Sequence, residues 1–304
     1  TAVGFAAGYD LTSGHHNVLI GADAAENLTT GQENTIVGAN AGDALTIGNY
    51  NTAVGGDALT TDDVGNSSVA IGYAALNSQN SDSNNEVTNN VGVGVSAGFY
   101  NVTGKGNTYI GNQSGQGASN QSNQENTAVG YQSLFNITTG QQNVAMGVAA
   151  GHTLTTISNA VLIGYDAGYS LNSTDANGAV IIGHRAGRSL THPAATVLIG
   201  SGSGANLTTA DSNVVVGHRS LPIGTTANSN TIVGSYSATA LTTGEYNAFM
   251  GYQVADSTTT ASGSAFFGHR AGGTVTTGNQ NIAIGKQAMY GGSVTGDDNI
   301  SIGA

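Results

Sequence analysis

Short apolar triplets, each closed by a glycine, recur along the whole of this chain. The clearest unit runs from Asn34-Thr-Ile-Val-Gly38 to Asn49-Tyr50 and begins again at Asn51-Thr-Ala-Val-Gly55. The marker glycine falls at 4, 21, 38, 55, 72, 94, 111, 130, 147, 164, 183, 200, 217, 234, 251, 268, 285 and 303. Thirteen of the seventeen intervals are 17 residues; the others are 22, 19, 19 and 18. Coils therefore accept extra residues and lose none. A short fixed period predicts a solenoid, because one unit cannot bury its own apolar face and must stack on its neighbours. The expected fold is all-β, a parallel β-solenoid of about 18 coils, one per marker glycine, spanning 1–304 as one repeat region with an inserted loop around 77–90.

The triplet before each glycine predicts a strand. Its last residue is Val, Ile, Met or Phe in every coil, and its first is usually Val, Ile or Thr. The middle residue points the other way, yet it too is often apolar, as in Leu19, Ile36, Leu162, Ile181 and Phe249. A strand apolar on both faces is covered on both. One face fills the solenoid. The other calls for copies of the same chain, in a closed cyclic assembly; the plainer alternative is a flattened roll that buries both faces within one chain.

Three further columns complete the unit. Ala or Ser stands three residues after the marker glycine, with Val254 the exception, which implies two layers in close approach. A second segment, often Leu-Thr-Thr-Gly (28–31, with near copies at 137–140 and 241–244), supplies another core leucine and a glycine expected at positive φ. Asn opens most units, so stacked amides are expected to form a hydrogen-bonded ladder.

Composition narrows the function classes. Net charge is −12, with −10 of it in residues 1–152, and an acidic surface disfavours nucleic acid as a partner. There is no cysteine, hence no disulfide framework or thiolate metal site. No stretch is apolar and long enough to cross a membrane, so no membrane insertion is expected of this segment. The chain opens and closes inside repeats, at Thr1-Ala-Val-Gly4 and Ile302-Gly303-Ala304. Because solenoids need polar caps, this reads as a segment of a longer protein.

The Asn-Thr-Ala-Val-Gly-x-x-Ala unit at 51–58, and its near copy at 126–133, resembles the head repeats of YadA-type trimeric autotransporter adhesins. Similar runs separated by Thr-Thr-Gly occur in tail-fibre-like proteins of bacteriophages. The resemblance covers the whole chain, although the 17-residue unit is longer than the adhesin head repeat. It implies a left-handed β-roll, a homotrimer, an extracellular place on a virion or bacterial cell surface, and a role in attachment.

Candidate binding residues are few. His184-Arg185, His218-Arg219 and His269-Arg270 each follow a marker glycine. Together they suit an anionic glycan or lipopolysaccharide, while drift at an exposed turn is the favoured reading, since other coils carry Tyr or Lys286 there. His184 and His218 lie two coils apart, roughly 10 Å, too far to share a metal ion. Tyr73, Tyr131, Tyr165 and Tyr252 occupy the same column and suit either sugar stacking or packing between chains. Asp62-Asp63 and Asp297-Asp298 lack any calcium-loop spacing. No cofactor, metal or catalytic residue is expected.

The expectation is thus a structural and adhesive fibre shaft, not an enzyme, binding through repeated shallow sites. An ice-binding solenoid is the second class, although the adjacent Thr29 and Thr30 should point to opposite faces. A left-handed β-helix acyltransferase is the third; its hexapeptide period does not divide the unit found here.

Overall fold

The computed structural model describes residues 1–84, 86–118, 122–173, 176–192 and 194–303. These form two compact units, Thr1–Thr156 and Ile157–Ala304. The first holds nine strands: β1 (Ala2–Val3), β2 (Val18–Ile20), β3 (Thr35–Val37), β4 (Thr52–Val54), β5 (Val69–Ile71), β6 (Val91–Val93), β7 (Thr108–Ile110), β8 (Thr127–Val129) and β9 (Val144–Met146). The second holds nine more: β10 (Val161–Ile163), β11 (Val180–Ile182), β12 (Val197–Ile199), β13 (Val214–Val216), β14 (Thr231–Val233), β15 (Ala248–Met250), β16 (Ala265–Phe267), β17 (Ile282–Ile284) and β18 (Ile300–Ile302). Within each unit every strand pairs in parallel with the next, in register, as in Leu19↔Ile36↔Ala53 and Leu198↔Val215↔Ile232. The protein is therefore an all-β solenoid of parallel coils, about 17 residues to a turn.

The middle residue of each triplet faces inward. Leu19, Ile36, Tyr109, Leu162, Ile181, Phe249 and Phe266 are buried, joined by the Ala/Ser column and by Leu28, Leu45, Leu207 and Leu241. The coil is narrow, and one large side chain per strand fills it. Glycines and alanines nearby make room for the bulkiest of them. Tyr109 stands between Gly92 and Ala128, and a Cβ on Gly115 would sit 2.2 Å from its ring. Phe249 and Phe266 stack at 4.9 Å, with Gly272 making room beside Phe266.

The first and last residues of each triplet face outward. Val18, Ile20, Ile71, Ile110, Met146, Val214 and Met250 are all exposed. Among the described residues the outward positions are half-buried or exposed, so both faces are not buried within one chain as in a flattened roll.

Corners are tightly specified. Gly38 has φ +143°, and a Cβ there would lie 2.4 Å from the carbonyl oxygen of Gly55 in the next coil. Two residues on, the backbone turns left-handed whatever the side chain: Asp23 (φ 56°) and Asn40 (φ 53°) are examples. That turn aims the N–H of Asp23 back at the preceding coil, onto the Phe5 carbonyl at 2.9 Å, while Ala25 N–H bonds forward to Ala41 at 2.9 Å. Each such bond offsets the roughly 1 kcal/mol cost of a left-handed non-glycine residue.

One expectation about glycine is corrected. Gly31 and Gly48, which close the Leu-Thr segments, do not have positive φ; the turn is made two residues later, at Glu33 (φ 57°) and Tyr50 (φ 61°). Glycine is required there for closeness, since a Cβ on Gly31 would meet the Gly48 carbonyl oxygen at 2.3 Å. The preceding threonines divide as the sequence implies: Thr29 Oγ1 donates to the Thr46 carbonyl at 3.0 Å, and Thr30 is exposed.

The asparagine ladder is present in both units. Asn17 Oδ1 accepts from the Asn34 backbone N–H (2.9 Å) and amide (3.1 Å), and Asn34 Nδ2 also donates to the Gly48 carbonyl at 2.8 Å. These groups are buried, where an unmade bond is costly.

Of the longest insertion, 77–90, residues 80, 82–84, 87 and 89 are exposed among the described residues, while Gln79, Thr88 and Asn90 are buried. Gln79 is buried and donates to Asp62 Oδ2 at 2.6 Å and Ser68 Oγ at 2.8 Å, while accepting from Asn90 at 3.0 Å. Residue 85, residues 119–121 and 174–175 of the two shorter insertions, and Pro193 lie outside the described residues.

Candidate functional site

The candidate residues all sit at the corner that follows a strand. The marker glycine turns the chain sharply, so the next two side chains project from the edge of the coil. Tyr73 and Tyr131 belong to the first unit, each exposed and with no aromatic neighbour one coil away in that column. The ring of Tyr73 lies beside Gly56 of the preceding coil.

In the second unit the same column is organised. Tyr165 stacks on His184 at 5.4 Å and 18°, and Tyr252 stacks on His269 at 5.7 Å and 13°. His218 meets Tyr236, which stands one position further along its coil, edge-on at 5.1 Å, and Tyr236 meets Tyr252 at 6.1 Å. One coil in parallel register brings successive rings within stacking range, so these contacts follow from the repeat itself.

The three arginines differ in their surroundings. Arg185 lies over the Tyr165 ring at 5.8 Å and within 3.9 Å of Asp166, a nearly buried carboxylate held at 3.0 Å by Arg188. Arg270 lies over Tyr290 at 5.6 Å and donates to Gln253 Oε1 at 2.8 Å. Arg219 is exposed, and its guanidinium has no ion pair or hydrogen bond among the described residues.

Between Arg185 and Arg219 the intervening coil carries Ser201-Gly202 in place of His-Arg. Two large side chains are thereby missing, and a cleft of about 310 Å³ opens there, walled by His184, Arg185, His218 and Arg219. A second cleft of about 330 Å³ adjoins it across Arg219, lined by Pro222, Ile223 and Tyr236.

Thus the structure joins His184, Arg185, His218 and Arg219 with Tyr165 into one locality, and places Tyr252, His269 and Arg270 further along the same column. Tyr73 and Tyr131 are not brought together with them. Asp166, Arg188, Tyr236 and Pro222 were missed by reading triplets alone. Asp166 and Arg185 share one column position in successive coils, which is the signal that pairs them.

The acidic pairs have structural partners. Asp62 accepts from Gly65 N–H at 3.0 Å and from Ser81 N–H at 3.2 Å, and Asp297 accepts from Asn279 N–H at 2.6 Å. Among the described residues no cluster of three His or acidic side chains is placed to hold a metal ion.

Comparison of the chain with family models and with curated proteins finds no match to either.

Proposed function

We propose that this chain is a shaft segment of a surface attachment fibre: a left-handed, homotrimeric β-solenoid carried outside the cell on a virion or bacterial surface. Its work is structural and adhesive rather than catalytic. The observation that carries this reading is the outward face of the strands. The last residue of each triplet forms an apolar outward column, and Ile20, Ile71, Ile110, Met250 and Phe267 in it are exposed in the single chain. Apolar area on that scale marks an interaction surface. A repeated surface is matched best by a second copy of the same repeat, in the same register, and cyclic closure around an axis leaves no face open. The trimeric number rests on the resemblance to adhesin head repeats.

Attachment would use the corners, which point away from the strand face. Shallow sites repeated on three chains bind by avidity, with no single tight pocket required. A surface glycan or lipopolysaccharide is the partner class that suits the exposed rings and cations of the second unit. Light scattering of the purified chain tests the assembly: a mass three times 30.1 kDa is expected. A clean monomer at high concentration overturns the trimeric fibre.

A further inference from the structure

We infer that the slot over Ser201-Gly202 is a binding site for one acidic sugar residue, a pyranose that carries an anionic group, within a longer glycan. The inference deepens the attachment reading above and rests on it.

The geometry supplies three parts. His184 and His218 are two coils apart, so their rings stand about 10 Å from each other. A ring inserted midway lies about 5 Å from each, within the range of ring-to-ring contact. Tyr165 already covers one face of His184, which leaves the other face turned toward the slot. The floor is backbone and small side chains, from Ser201, Gly202 and Ala205. Asn206 adds an amide at the margin, suited to a sugar hydroxyl.

The anion is called for by Arg219. Arg185 and Arg270 are already engaged by Asp166 and Gln253 respectively, and Arg219 alone of the three keeps a free guanidinium at the mouth of a cleft. Its planar fork matches a carboxylate or a phosphate oxygen pair. The adjoining cleft beyond Arg219, with Pro222 and Tyr236, gives the neighbouring sugar an apolar platform.

The slot also exists by substitution rather than by distortion. The column position of Gly202 (φ 67°) holds Asp166, Arg185, Arg219 and Tyr236 elsewhere, at φ 52°, 55°, 51° and 57°. A Cβ on Gly202 would make only an ordinary contact, 3.5 Å from Arg219 Cγ. Gly202→Gln therefore fills the slot within a backbone that already accepts side chains there.

Calorimetric titration of the wild-type chain with tri-galacturonic acid, glucose 6-phosphate and neutral galactotriose tests the site. Binding of one or both acidic probes, with at least tenfold weaker binding of galactotriose, is expected; which acid binds separates carboxylate from phosphate recognition. Gly202→Gln and Arg219→Gln are each expected to weaken the acidic probe at least tenfold, with the light-scattering mass unchanged. Equal affinity in both variants overturns the slot while leaving the fibre reading intact. Equal affinity for the neutral probe, or no binding of either acid, overturns the acidic ligand. A monomeric mass fails the fibre reading separately.

Discussion

The side-chain oxygen of Asn230 accepts two hydrogen bonds from Asn247, one from its backbone N–H at 3.0 Å and one from its amide at 2.9 Å. Asn230 in turn donates to the Gly244 carbonyl at 2.9 Å and to Asn213 Oδ1 at 3.3 Å. Every polar atom of the side chain is used, and the group is fully buried.

Asn230→Asp keeps the shape and removes the donors. A carboxylate oxygen then faces the Gly244 carbonyl, and a buried charge is left without a cation. The expected loss is about 3 kcal/mol in urea unfolding at neutral pH, partly recovered in acid where the carboxyl is neutral. Ser264 holds the same column and still accepts from Asn281 at 3.2 Å, so Asn230→Ser should cost less than Asn230→Asp. The opposite order would show that keeping a full-length acceptor matters more to the ladder than the lost donors and the buried charge.

The marker glycines should be intolerant where other left-handed positions are not. Gly217 has φ +145°, and a Cβ there would sit 2.4 Å from the Gly234 oxygen. Gly217→Ala is expected to cost more than about 4 kcal/mol, or to prevent folding. Gly202→Ala, with φ 67° and no close atom, should cost only about 1 kcal/mol. Thermal melts of the two variants side by side make the comparison.

Placing a charge on the outward face should separate assembly from folding. Ile110 is 40% exposed in the single chain, at the end of β7. Ile110→Lys is expected to leave the β circular-dichroism signal intact and to reduce the mass seen by light scattering. An unchanged mass would place the contact between copies elsewhere.

Acid should stabilise the corner around Asp43. Burial lifts its carboxyl above the usual value of 3.8, and the nearby Glu26 and Asp57 push the same way, against backbone hydrogen bonds that pull it down. Its Oδ1 is buried without a hydrogen-bond partner. A raised value in the folded chain means the folded chain holds the proton more tightly. The stability it contributes is complete below pH 3.8 and is lost as pH rises through the raised value. Asp43→Asn should therefore raise the melting midpoint at neutral pH and change it little in acid. A variant that melts lower at neutral pH would contradict the assignment.

Much of the fold was determined by the sequence itself. The 17-residue period, the triplet strands, the leucine column and the asparagine ladder could all be read directly, because parallel stacking puts each position against its own copy and multiplies a local preference down the column. The three-dimensional structure decided the rest. With both strand faces apolar, alternation could not say which turns inward; the narrow coil, with room for one large side chain per strand, places Ile36 inside and Val37 at the surface. Spacing suggested positive φ for Gly31, but the close approach of the next coil, not the dihedral angle, is what requires glycine there. The His-Arg repeats were visible, whereas the slot between them was not, since it is made by the side chains that Ser201 and Gly202 lack. Absences become shape only when neighbouring coils are stacked against them.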